Sequence, residues 1–359
     1  MSPGVLLLRR ADAIFAQTFG ANDWDAVRRI AVITTGGTIA SSRVEGGAAR
    51  VTAGGRDVVA GVRIGPGVEL SVRETMALNS FAMTFRDMDR IHRAVRAALS
   101  EPDVDGVVVT HGTDTLEETA ALLAFNHRDP RPVVLTGAIR PQDAPEPDGA
   151  ANLADAAAVA AAPLAVGAGV LVCLAGRVHE ALGTVKRHND DPDSFADPER
   201  SPWAVVTDGR IGPLRPARGP HPLCPRDVEV GAERVAVVSA YPGADRVAYD
   251  AEVAAGARGV VLVGTGSGNA TPALAAAVRE HPVPVLLTSR VPAGTVGGVY
   301  GGPGGGADLI TAGAVSAGRL RAGQARVLLA ALLASGTPVA AETVETWTED
   351  VGPRLVPHP

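Results

Sequence analysis

Short runs of β-branched residues, each closed by glycine or a polar residue and followed by a helical pattern, constrain this chain more than any other feature. They are Ile30–Thr35, Gly106–Thr110, Val133–Thr136, Val170–Leu174, Val235–Ser239, Val260–Val263 and Val283–Leu287. Runs so short and so continuously apolar read as strands covered on both faces. Between them Phe85–Leu99, Leu116–His127, Asn152–Ala162, Ala244–Ala255 and Pro272–Glu280 read as helices, with Asp114, Asp148, Thr271 and Pro272 near their starts. Strand, helix and strand in succession make parallel βαβ units. The expected fold class is therefore α/β, with two parallel-sheet domains, a larger N-terminal one and a smaller C-terminal one. The stretch Gly209–Arg234 holds five prolines and few apolar clusters and reads as a linker. This divides the chain into residues 1–210, a linker at 211–234, and residues 235–359. A chain of 359 residues that is 46% hydrophobic has enough material for two cores. Residues up to about 28 and the last ten or so are expected to be peripheral.

Charge and composition exclude several classes of partner. The formal net charge is −6, with arginines and carboxylates spread along the chain, so there is no basic stripe for nucleic acid and no polybasic membrane anchor. The alanine-rich run Ala150–Ala168 is broken by Asp155 and Pro163 and is unsuited to crossing a bilayer. Near the start, the short apolar run before Arg9 and Arg10 has its positive charge on the wrong side for a secretion signal. The expectation is a soluble cytoplasmic protein acting on a small molecule. Cys173 and Cys224 suit neither a metal site nor a disulfide framework, and both are expected to be free thiols.

Threonine and glycine gather where strands end, which is where sheets of this class place ligands. The first cluster is Thr34-Thr35-Gly36-Gly37-Thr38. Its glycines allow a tight turn and close backbone approach, with N–H groups suited to an oxyanion. Thr38 then reads either as a nucleophile or as a helix cap. The second cluster is Thr110-His111-Gly112-Thr113-Asp114-Thr115. Asp114 could hold a substrate ammonium, but with Glu117 three residues on it also resembles a capping box, the stronger reading for Asp114 alone. His111 beside a glycine turn reads as structural rather than as a general base.

Lys186 is the only lysine in the chain; every other cationic side chain is arginine. Lysine can exchange its proton in a desolvated site and arginine cannot, so Lys186 is a candidate base, set against chance survival of a surface residue. The segment Gly264-Thr265-Gly266-Ser267-Gly268-Asn269 lacks the third glycine of the dinucleotide fingerprint and the acidic residue that should follow it. A loop presenting Asn269 to an amide or carboxylate fits better.

Together these segments resemble the bacterial L-asparaginase family. The run from Thr34 to Ala40 is similar to its first signature, and the run from Val109 to Ala120 to its second. Further similar stretches are Thr136–Pro141, Asp148-Gly149 with Asn152-Leu153, Gly264–Asn269 and Ser289–Gly294. The resemblance implies hydrolysis of L-asparagine to L-aspartate and ammonia through an acyl-enzyme on Thr38. Thr113, Asp114 and Lys186 would form a second catalytic constellation, with the oxyanion held by N–H groups near Thr113 and Gly37. Substrate-binding residues would be Ser80, Thr113, Asp114, Gly37, Ala138 and Asn269, the last supplied by a neighbouring subunit of a homotetramer or homodimer. L-Glutamine is a second candidate substrate. No metal and no organic cofactor are implied.

Two departures from the family pattern stand out. Where the family carries a lid tyrosine, this chain reads Ala49-Arg50-Val51-Thr52-Ala53-Gly54, and its only tyrosines are Tyr241, Tyr249 and Tyr300. After Ser80 comes Phe81, where many relatives have glutamine, which bears on asparagine against glutamine. The lid segment Ser41–Gly55 is expected to be mobile. Rival readings are a non-enzymatic amino-acid sensor and an amidase subunit that supplies ammonia to a partner.

Overall fold

A computed structural model describes residues 27–43, 49–220, 222–223 and 226–348. The termini expected to be peripheral, Cys224 and the lid tip at residues 44–48 lie outside the described residues. Two sheets organise the chain. The larger has eight strands in the order β12-β11-β8-β7-β6-β5-β1-β4, and the smaller has four in the order β13-β14-β15-β16.

In the larger sheet, β1 (Arg28–Gly36), β5 (Gly106–Thr110), β6 (Val133–Thr136) and β7 (Val170–Leu174) run parallel. Ile30, Val32, Val108 and Val134 face one side, while Ala31, Ile33, Val107 and Val109 face the other. Burial on both faces is why these segments read as unbroken apolar runs. One face is covered by α1 (Gly55–Ala60) and α4 (Gly149–Ala161), and the other by α2 (Phe85–Leu99) and α3 (Leu116–Asn126).

The larger sheet is mixed rather than parallel throughout, which corrects the expectation in part. Strand β8 (Arg177–Glu180) turns back antiparallel on β7, and β11 (Ala204–Thr207) and β12 (Arg210–Pro213) continue antiparallel. At the other edge, β4 (Val68–Leu78) pairs parallel to β1. The sequence does not mark it as a buried strand, because an edge strand only partly covered alternates charged residues such as Glu69 and Arg73 with apolar ones.

The smaller sheet is wholly parallel, from β13 (Val235–Ser239) and β14 (Gly259–Gly264) to β15 (Val285–Ser289) and β16 (Ala314–Ser316). Helices α5 (Val247–Ala254), α6 (Pro272–Glu280) and α7 (Gly306–Thr311) belong to this unit. Then α8 (Ala322–Ser335) packs on it from the side facing the larger unit. Leu328, Leu329 and Leu332 of α8 share one core with Phe85, Leu122 and Phe125 of the larger unit and Val261 and Leu286 of the smaller. That shared core seats the smaller unit against the larger, and α9 (Ala341–Thr348) closes it with Trp347 against Phe125. Among the described residues no helix is long and apolar enough to cross a membrane.

Candidate active site

The carboxyl ends of β4, β1, β5 and β6, neighbours in the sheet, bring four loops together. After β1 the chain passes through Gly37 at φ 81° and ψ −174°, a conformation open only to glycine, into the short turn Thr38–Ala40. A Cβ on Gly37 would lie 2.5 Å from Gly112 Cα, so the first threonine cluster rests directly on the second. A Cβ on Gly112 would in turn lie 2.5 Å from Ser80 Oγ. Ser80 follows β4 and is buried; its Oγ accepts from the Asp114 N–H at 3.1 Å, leaving its own hydrogen free to donate. Thr115 Oγ1 donates to Ser80 O at 2.9 Å. Ala138, after β6, is fully buried beside Ile39 and α4, so any part it has in binding is through its backbone.

Lys186 reaches this cluster from β9 (Val185–Lys186), which among the described residues pairs only with β10 (Phe195–Ala196). Its Nζ donates to Thr113 Oγ1 at 2.9 Å and to Asp114 Oδ1 at 2.8 Å. The Lys186 side chain is 17% exposed and that of Asp114 52%, so the inner end of the cluster is dry and its outer end open. The surface-lysine alternative therefore falls.

The capping reading of Asp114 is overturned as well. Helix α3 begins after Thr115 with no side-chain cap, and the Asp114 carboxylate turns to Lys186 instead. A partly buried cation offers a carboxylate more than a helix end does. Asp148 does precede α4, but its carboxylate accepts from the Ile139 and Arg140 N–H groups rather than capping the helix. Thr271 caps α6 as expected, accepting from the Leu274 N–H at 3.3 Å.

His111 is fully buried. Gly112 O, 2.7 Å away, can only accept, so Nδ1 carries the hydrogen and Nε2 accepts from Thr119 Oγ1 at 2.9 Å. Burial pushes its pKa down to about 4, which makes it a neutral structural imidazole.

The Gly37 N–H is not free for an oxyanion, as its sequence position suggested, because it donates to Leu78 O at 3.0 Å where β1 and β4 shift register. Thr38 is partly buried, and its hydroxyl makes no hydrogen bond among the described residues. Asn269 stays in the smaller unit, where its Oδ1 accepts from the Gly306 N–H at 3.0 Å and its carbonyl closes a turn on Thr265. Within one chain it does not join the threonines. The hairpin of β2 (Ser41–Arg43) and β3 (Ala49–Val51) lies beside the Thr38 turn, and Val51 packs into the core of the larger unit.

The sequence offers Glu117 only as a helix-cap partner. Its Oε2 instead accepts from the Lys186 backbone N–H at 2.7 Å. Burial and the adjacent Glu118 charge push its pKa up to about 7, against the opposing pull of that N–H and of the Lys186 charge. The signal in the sequence was the pair of adjacent acids on an otherwise apolar helix.

A cavity of about 300 Å³ lined by Thr34, Gly36, Ala40, Gly55, Glu74 and Thr110 adjoins these loops. A larger one of about 820 Å³, lined by His92, Arg96, His127 and Arg128 among others, opens at the amino ends of the strands, away from the threonines.

Two family profiles match the chain: Asparaginase, N-terminal, over residues 29–217, and Glutaminase/Asparaginase C-terminal domain, over residues 234–346. A probable L-asparaginase of Deinococcus radiodurans is 36% identical over 313 residues, covering 86% of this chain and 94% of the relative. A glutaminase-asparaginase of Pseudomonas fluorescens is 29% identical over 308 residues, covering 81% of this chain and 83% of the relative. The crystal structure of a probable cytoplasmic L-asparaginase from Campylobacter jejuni superposes with a TM-score of 0.77 at 28% identity, covering 89% of this chain and 99% of that one. Both halves of the chain match, in order and over nearly their whole length, and the chain therefore belongs to the asparaginase family of enzymes.

Proposed function

We propose that this protein hydrolyses the side-chain amide of L-asparagine to L-aspartate and ammonia, with Thr38 as nucleophile and Thr113, Lys186 and Asp114 handling protons. The observation that carries the reading is the fork of the only lysine, whose Nζ meets both Thr113 Oγ1 and Asp114 Oδ1 beside the Thr38 turn. In this reading Lys186 acts as the neutral amine: Thr38 Oγ1 adds to the amide carbon, and the hydroxyl proton passes through Thr113 onto the Lys186 nitrogen. The carbonyl electrons move onto oxygen, where the Thr113 N–H, bonded to none of the described residues, is the available donor. The C–N bond then breaks as the nitrogen takes that proton back from Lys186 through Thr113 and leaves as ammonia, which returns Lys186 to the neutral amine. Water adds to the resulting ester, freeing aspartate and the Thr38 hydroxyl.

The half-exposed Asp114 carboxylate has Oδ2 left over for a substrate ammonium, and the Ser80 hydroxyl can donate to its carboxylate. Asn269 comes from a neighbouring subunit, since its own chain keeps it in the smaller unit. A homotetramer or homodimer is part of this proposal, as is a cytoplasmic location, which the likeness to the Campylobacter protein supports. Glutamine enters as a second substrate on the likeness to the Pseudomonas protein.

One observation favours the sensor reading: the lid segment holds no tyrosine, and Val51 is committed to core packing. Ammonia release from L-asparagine, L-glutamine and D-asparagine, with Thr38→Ala as the blank, separates the two. Release from L-asparagine that vanishes in the variant is the expected result. No release, with aspartate still raising the melting temperature, points to a sensor or to an amidase subunit awaiting its partner.

A further inference from the structure

We propose that Gln324, on the smaller unit, is the positioning residue that sets the Lys186 side-chain nitrogen on Thr113, by binding the loop that delivers it. The inference rests on the reading of Lys186 given above. Strand β9 is two residues long and, among the described residues, pairs only with the equally short β10, so its own ladder cannot fix where Lys186 points. Something else must hold it.

Gln324, in the first turn of α8, is fully buried and uses both its amide donors and its carbonyl acceptor near this loop. Its Oε1 accepts from the Gly183 N–H at 2.9 Å, and its Nε2 donates to Ala181 O and Thr184 O, each at 2.9 Å. A longer contact of 3.5 Å runs from Nε2 to Glu117 O. Glu117 in turn accepts from the Lys186 N–H through its carboxylate at 2.7 Å. One amide thus grips both the loop just before Lys186 and the helix whose Glu117 holds the Lys186 backbone.

The far side of the pair is tied to the smaller unit too. Arg319 Nη2 donates to Asp197 Oδ1 at 3.4 Å, just after β10, and Arg319 also pairs with Glu199. The placement of the lysine is therefore conditional on the docking of α8. No glutamate or methionine at 324 can replace the pattern. A carboxylate has no donors for two carbonyls, and a thioether leaves the Gly183 N–H and Thr184 O without the amide's bonds and Ala181 O with only the Thr184 N–H at 3.4 Å.

The test exploits the fact that the chain holds a single lysine. Acetylation by an N-hydroxysuccinimide ester, read by peptide mass spectrometry, reports the ε-amine of Lys186 without background from any other lysine. In Gln324→Met, kcat for L-asparagine is expected to fall roughly tenfold or more with KM changed by less than about threefold, because an ångström-scale misplacement acts on the chemical step. Lys186 acetylation is expected to rise several-fold as its bonds to Thr113 and Asp114 loosen. Gln324→Glu, which keeps the size and the acceptor, serves if the methionine variant does not fold. A folded variant with wild-type kcat and wild-type Lys186 reactivity overturns the proposal, as does a loss of kcat with reactivity unchanged. Raised reactivity with undiminished turnover upholds the positioning and instead defeats the catalytic reading of Lys186.

Discussion

Lys186 meets its partners as a point donor at the end of a flexible stem, with Thr113 Oγ1 on one side and Asp114 Oδ1 on the other. Arginine at this position keeps the charge but cannot give up its proton, and its planar head does not fit two partners set for a single nitrogen. Lys186→Arg is expected to lower kcat by about a hundredfold or more, with the fold retained by circular dichroism. Glu117 yields a pH prediction. Its folded pKa of about 7 lies above the ordinary 4.5, so the stability of the wild type relative to Glu117→Gln is greatest below pH 4.5. That advantage is lost as pH rises through about 7, a swing of about 1–3 kcal/mol measurable by urea unfolding at pH 4.5 and pH 8. At this scale the sequence exposed the residues that are chemically unusual, namely the single lysine and the threonines at strand ends. It could not tell whether Asp114 caps a helix or holds Lys186, because the two are 72 residues apart and only the folded chain makes them neighbours.

Helix α8 is the element on which the arrangement turns. Its sequence, Ala-Gly-Gln-Ala-Arg-Val-Leu-Leu-Ala-Ala-Leu-Leu-Ala-Ser, is apolar nearly all round, as a helix covered on most of its surface must be. Leu328 is fully buried in the core shared by the two units, and Leu328→Ala is expected to cost about 2–5 kcal/mol in thermal or denaturant unfolding. Gln324 lies one turn before Leu328 on the same helix, so the variant should also raise Lys186 acetylation, which a cavity in the smaller sheet alone would not do. The buried parallel strands were legible because an all-apolar run bounded by glycine has few other uses. Strands β4, β8 and β12 were not, since each mixes polar and apolar residues and its identity depends on the neighbour it finds, and β11, though apolar, runs straight into β12 through a tight turn with no helical pattern after it.

On the scale of the molecule, the threonines and Lys186 sit on the larger unit while Asn269 is held within the smaller by Gly306 and Thr265. If a neighbouring subunit supplies Asn269, a Thr38→Ala chain and an Asn269→Ala chain carry complementary lesions. Co-expressed and purified as a mixed assembly, they are expected to recover ammonia release above that of either variant alone. Separately assembled and never exchanged, they are not, and absence of recovery in the mixed assembly places Asn269 outside a shared site. The sequence alone determined that this is a two-unit α/β protein with threonine loops at strand ends, because burial on both faces of a sheet and tight glycine turns leave local patterns of residue type. The tertiary structure decided what those patterns could not carry. Pairing across the sheet placed Ser80 against Gly112, and the docking of α8 brought Gln324 to the Lys186 loop. Such contacts join residues far apart in the chain, and their energy exists only once the intervening segments have folded.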